Sequence, residues 1–107
     1  MIAHGLKKET VSAIQQVLAR FPDVHQAILY GSRAKGNFKP GSDIDLTLTG
    51  ENLNLSTLQK IELDLEELLL PYKIDLSIQR QIQNQDLLNH MKRVGVVFYE
   101  SPKAEVK

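Results

Sequence analysis

Two stretches of this chain alternate strictly between apolar and polar residues, and they confine it to a sheet with one dry face and one wet face. From Asp43 to Thr49, Ile44, Leu46 and Leu48 fall on one side while Asp43, Asp45, Thr47 and Thr49 fall on the other. From Tyr72 to Ile78 the pattern returns, with Ile74, Leu76 and Ile78 set against Lys73, Asp75 and Ser77. A helix cannot gather a period-two pattern onto one face, so both segments read as strands, apolar behind and carboxylate in front.

The remaining segments supply what such a sheet needs. Val11, Ile14, Val17, Leu18 and Phe21 recur at helical spacing before Pro22, predicting a helix over about 7–20. Val24 to Tyr30 reads as a short apolar strand closed by Gly31, and Ser32 to Gly36 has room only for a turn or a helical start before a polar loop holding Pro40 and Gly41. Between the alternating strands, Ser56 with Gln59 resembles a capping box, and Leu58, Ile61, Leu65, Leu68 and Leu69 form a helical stripe up to Pro71. Leu87, Leu88, Met91 and Val94 mark a last helix ended by Gly95 at its C-cap, and Val96 to Tyr99 a fourth strand. The order predicts an α/β (α+β) fold, a small mixed sheet with helices packed on one face and the other face open for a ligand. At 107 residues the expectation is one domain over 1–107, with its core over about 7–99 and a frayed tail over 101–107.

Composition removes several classes of function. Thirteen Lys and Arg balance thirteen Asp and Glu, so no long-range attraction to nucleic acid or to an anionic membrane is expected. The absence of cysteine excludes a disulfide framework, a thiol nucleophile and a Cys-type zinc site. No apolar run approaches the roughly 18 residues of a membrane span, and Met1 to Lys8 lacks the apolar region of a signal peptide, so the cytoplasm is the expected location.

The chemistry concentrates in Tyr30-Gly31-Ser32-Arg33-Ala34-Lys35-Gly36 and Gly41-Ser42-Asp43-Ile44-Asp45-Leu46. Alternate carboxylates on a strand share a face, roughly 6.6 to 7 Å apart. That suits a pair of hard cations, which in phosphoryl or nucleotidyl transfer sit roughly 3.5 to 4 Å apart and need oxygen ligands from one side. Magnesium fits, because it takes few protein carboxylates and completes its shell with substrate phosphates and water. Upstream, Gly31 has no Cβ to keep phosphates from the backbone, Ser32 offers a hydroxyl and an N–H, and Lys35 adds a point charge.

Gly31-Ser32, ten intervening residues and Asp43-x-Asp45 together resemble the signature of the polymerase-beta-type nucleotidyltransferase superfamily. The Gly-Ser-Arg-Ala-Lys-Gly version is similar to that of its minimal nucleotidyltransferases, the short antitoxin partners of HEPN-domain toxins in prokaryotic toxin–antitoxin pairs. The resemblance covers about residues 24–99. It implies that Gly31 and Ser32 grip nucleotide phosphates and that Asp43 and Asp45 bind two Mg2+ ions, with Mn2+ able to substitute. Lys35 takes the place of a family Arg, keeping the charge but losing the bidentate fork. The superfamily's third carboxylate, a metal ligand and general base, is matched by Asp75, mid-strand on a polar face. Asp64, Glu62, Glu66 and Glu67 belong instead to a helix with a solvated polar side, and Glu51 to a turn. Three clustered carboxylates repel, so without metal at least one pKa is expected to rise.

The implied activity is transfer of AMP from ATP to a hydroxyl, a tyrosine foremost, on a HEPN-family ribonuclease toxin, which the protein would silence as its antitoxin. Length agrees, since a catalytic core that consumes 107 residues leaves the acceptor wall to a partner or to a second copy in a homodimer or hetero-oligomer. Two alternatives stand beside it: a non-catalytic antitoxin acting by binding, and a small-molecule nucleotidyltransferase of the aminoglycoside type. Among individual residues, Arg33 reads equally as a phosphate contact and as a surface residue gripping a partner, and Ser42 equally as a phosphate contact and a turn residue. His4, His25 and His90 lie without ligand spacing and read as structural or solvated, and Tyr30 as core.

Overall fold

A four-stranded mixed sheet carries the molecule in the computed structural model, which describes residues 4–102. In chain order the elements are α1 (Lys8–Ala19), β1 (Gln26–Tyr30), α2 (Ser32–Lys35), β2 (Ile44–Thr49), α3 (Leu55–Glu66), β3 (Ile74–Ile78), a 3-10 turn (Gln79–Gln81), α4 (Gln85–Val94) and β4 (Val96–Glu100). The strand order is β3-β2-β1-β4. β1 runs antiparallel to both β2 and β4, whereas β2 and β3 are parallel, with α3 as the crossover between them.

The period-two pattern does what it predicts. Ile44, Leu46 and Leu48 are fully buried, and together with Ala27 and Leu29 of β1 and Leu76 and Ile78 of β3 they form the dry face. Ile14, Val17 and Leu18 of α1 and Ile61 and Leu65 of α3 close over it, so these two helices pack on one face as expected. Phe98 of β4 joins the same core beside an irregularity in the β1–β4 ladder between Ala27 and Ile28.

Three local expectations are corrected. The cap of α3 is Asn54, whose side-chain oxygen accepts the Thr57 N–H at 2.9 Å, and not Ser56, which lies inside the first turn. The stripe ends at Leu68: Leu69 takes a left-handed backbone (φ 54) and is 87% exposed, because the chain reverses there to bring Leu70 back towards the core. Ser101, expected at the head of a frayed tail, is buried and donates its N–H to the His25 carbonyl at 2.8 Å; residues 103–107 lie outside the described residues.

The largest departure is α4, which lies across the other face of the sheet. Gly95 caps it with an ordinary φ of −61, so here glycine serves close approach and not a left-handed turn. A Cβ at this position would overlap the Met91 carbonyl and press on Ile28, a residue that faces away from the α1–α3 core. The sequence shows the apolar stripe of α4 but not which face receives it. That face was expected to be open, and it is covered at the β1 end.

Candidate active site

The wet face of the sheet gathers the carboxylates. Tyr30 pairs with Asp45 across the antiparallel β1–β2 ladder, and Asp45 pairs with Asp75 across the parallel β2–β3 ladder. Paired residues on neighbouring strands project to the same side, so Tyr30, Asp45 and Asp75 form one row, and Asp43 follows two residues before Asp45 on that side. Asp43 and Asp75 are exposed and Asp45 is half-buried. One layer further along, Thr47 and Ser77 pair in the same register, and the Ser77 hydroxyl donates to the Thr47 hydroxyl at 2.9 Å.

Burial and neighbouring charge act together in this row. Burial raises the Asp45 pKa above its ordinary value, and the nearby Asp75 and then Asp43 carboxylates raise it further, with His90 opposing them. The Tyr30 phenol is raised by burial, against a lowering contact with Ser77, and the Asp75 and Asp45 charges add to the rise. The expected rise of one carboxyl in the metal-free cluster therefore falls on Asp45, the member with least access to water.

β1 ends against this row. Gly31 adopts φ 77, a conformation costly for any residue with a side chain, and a Cβ there would overlap Asp45 Oδ2. Glycine thus lets the β1–α2 turn lie directly on the carboxylate. Ser32 opens the single turn of α2, its carbonyl accepting from Gly36 at 3.0 Å and Asn37 at 3.2 Å, and Lys35 is exposed at its end. Gly31, Ser32, Asp43, Asp45 and Asp75 are thereby brought to one end of one face.

Arg33 departs from both of its expected roles. It is only 2% exposed, and its guanidinium points inwards. Nη1 donates to the His4 carbonyl at 2.8 Å, and Nε and Nη2 donate to the Ser42 carbonyl at 3.1 and 3.0 Å. The rings of Phe38 and Tyr72 flank it, with centroids 5.0 and 4.9 Å away. Its donors pin the 37–42 loop and the N-terminal segment, leaving it no fork to offer a phosphate or a partner. Ser42 shares that structural work, since its hydroxyl accepts the Lys39 N–H at 2.8 Å.

His90 is the site residue that sequence reasoning missed. Its Nε2 accepts the Gly31 N–H at 3.0 Å, and its ring stands edge-on to Tyr30, 6.2 Å between centroids and 82° between planes. No spacing in the sequence points to it, because its place depends on α4 crossing to the wet face. His4 is buried and His25 exposed, both outside the carboxylate row.

Among the described residues no group of three or more His, Asp or Glu side chains is placed to hold a metal ion by itself. The exposed carboxylates of Asp43 and Asp75 beside the half-buried Asp45 suit an ion that takes its remaining ligands from substrate phosphates and water. Among the described residues no helix is long and apolar enough to cross a membrane.

Comparison with known proteins places the chain in a family. The family model "Polymerase beta, Nucleotidyltransferase" matches residues 12–104. The chain is 26% identical over 103 residues to "Probable protein adenylyltransferase MntA" of Haemophilus influenzae, covering 95% of this chain and 90% of that one. Among solved structures it resembles a toxin–antitoxin with AMP-PNP, with a TM-score of 0.66 at 18% identity over 92% of this chain and 77% of that one. It resembles equally a tri-AMPylated Shewanella oneidensis HEPN toxin in complex with its MNT antitoxin, with a TM-score of 0.66 at 17% identity over 92% and 76%. At such identities the structural likeness establishes the fold.

Proposed function

Because this chain belongs to the polymerase beta nucleotidyltransferase family, we propose that it transfers AMP from ATP to a hydroxyl, a tyrosine foremost, on a partner HEPN-family ribonuclease toxin, and that it acts as that toxin's antitoxin. The observation that carries the proposal is the convergence of Asp45, Asp75 and the Gly31 turn at one end of the sheet. The protein adenylyltransferase name of the Haemophilus relative and the AMPylated toxin in the Shewanella complex support the choice of nucleotide and acceptor.

In this mechanism Asp43, Asp45 and Asp75 would hold two magnesium ions, with manganese able to substitute, and the chemistry supplied there would be neutralisation of the triphosphate charge. Gly31 opens the backbone to the phosphates, Ser32 donates its hydroxyl to them and Lys35 supplies a compensating charge. Asp75, exposed at the row's outer end, takes the proton of the acceptor hydroxyl. The acceptor oxygen forms its bond to the α-phosphorus as the bond from that phosphorus to the bridging oxygen breaks, and pyrophosphate leaves. Exposure of Asp43 and Asp75 leaves the acceptor side open, which suits a hydroxyl presented by another protein better than a small molecule held in a pocket.

The test is incubation of the chain with magnesium, a co-expressed HEPN-type partner and ATP labelled at the α-phosphate. The partner gains the label and the mass of one or more AMP units, and γ-label does not transfer. Transfer of γ-label would mean a kinase. Stable binding without mass gain, with an Asp43→Asn variant still suppressing toxicity, would replace the enzyme by a steric antitoxin.

A further inference from the structure

We infer that His90 is a positioning residue for the nucleotide-binding turn, acting through the Gly31 backbone N–H; the inference rests on the functional reading above. Gly31 sits between two demands. Its φ is left-handed and a Cβ on it would overlap Asp45 Oδ2, while its own N–H lies just beyond Tyr30, the last paired residue of the β1–β2 ladder. A glycine at this junction has many backbone conformations available, and one hydrogen bond selects among them. That bond comes from α4: His90 Nε2 accepts the Gly31 N–H at 3.0 Å.

The imidazole is itself fixed. Its ring stands edge-on to Tyr30, which is buried and pairs in register with Asp45. The helix carrying His90 is held against the sheet by the close approach of Gly95 to Ile28, and its first turn is capped by Asn84, which accepts the Leu87 N–H. Among the described residues His90 makes no hydrogen bond to Asp43 or Asp75, and the hydrogen bond it does make is to the turn.

A turn that is correctly shaped only part of the time lowers apparent nucleotide affinity by that fraction, while the chemistry of the bound complex is preserved. Replacement of the acceptor should therefore raise KM for ATP about three- to tenfold, the worth of one net hydrogen bond, with kcat within about twofold. His90→Phe keeps a ring against Tyr30 and removes the acceptor; His90→Gln restores a carbonyl acceptor on a shorter reach. The expected order of KM is parent, His90→Gln, His90→Phe. Amide exchange at Gly31, followed by NMR without nucleotide, should quicken in His90→Phe and be partly restored in His90→Gln.

Unchanged KM and unchanged Gly31 exchange in His90→Phe would overturn the inference, as would a loss of kcat alone or a glutamine variant no better than phenylalanine, which would mark a packing role. If the parent protein transfers no AMP, the functional reading fails, and the Gly31 exchange measurement still decides whether His90 holds the turn.

Discussion

Asp45 of β2 lies directly opposite Asp75 of β3 in a parallel pairing, so two carboxylates face the same side on strands that neighbour each other in the sheet. Neighbouring strands run about 4.8 Å apart, a distance at which two ionised carboxylates repel unless cations come between them. The pairing that raises the Asp45 pKa is thus the same one that the proposed function uses to hold cations.

Removing these charges should move activity and stability in opposite directions. Asp75→Asn is expected to lower transfer by about 10^2- to 10^4-fold through loss of the base, and Asp43→Asn and Asp45→Asn to lower it through loss of metal ligands. Melting temperature in chelator should stay level or rise. For Asp45 the sign follows from its raised pKa: the folded state holds that proton more tightly than the unfolded chain, so stability falls as pH rises through the folded value. The gain from Asp45→Asn is therefore largest near neutral pH and vanishes towards about pH 4. Melting curves showing a large loss in all three variants would make the carboxylates structural.

ATP binding should require a divalent cation, because the triphosphate otherwise meets Asp43 and Asp45 unneutralised. Calorimetry with magnesium and with chelator measures this, and equal affinity in the two would remove the two-ion arrangement. Ser32→Ala should bind more weakly than the parent in magnesium; equal affinity would exclude the serine from the phosphate cradle.

Arg33→Lys should cost about 2 to 4 kcal/mol of stability, since an ammonium cannot replace the three guanidinium nitrogens that serve the His4 and Ser42 carbonyls or stack between Phe38 and Tyr72. Below its melting temperature the variant should bind ATP as the parent does. Full stability with weakened binding would return the arginine to the phosphates.

His4 gives the protein an acid sensitivity at its N-terminal segment. Burial lowers its pKa, and the Arg33 charge lowers it further, so the folded ring stays neutral where the unfolded one takes a proton. Stability is intact above the ordinary value of 6.5 and is lost as pH falls from there through the depressed folded value. His4→Asn, which keeps an acceptor for the Leu6 N–H, should flatten the decline in melting temperature between pH 7.5 and 5. An unchanged slope would assign the sensitivity to other groups.

What was legible in the chain was whatever depends on neighbours a few residues away. Alternation over residues 43–49 and 72–78 sorted Ile44, Leu46, Leu48, Leu76 and Ile78 to the core and Asp43, Asp45 and Asp75 to the opposite face, because strand geometry has a period of two wherever the strand lies. Gly31-Ser32 was legible as a turn closing an apolar strand, but that the missing Cβ clears Asp45 Oδ2 was not, since it depends on the pairing of β1 with β2. Contacts between distant segments were not. That Asp75 meets Asp45, and not a residue two places away, is a matter of strand register, which the α3 crossover and the packing beneath it decide. Arg33 carries the same charge whether it faces a phosphate or a nest of carbonyls; only the approach of His4, Ser42 and Tyr72 selects the second. His90 reaches Gly31 because α4 buries its stripe on the wet face, a choice that an amphipathic helix leaves to the surface available to it.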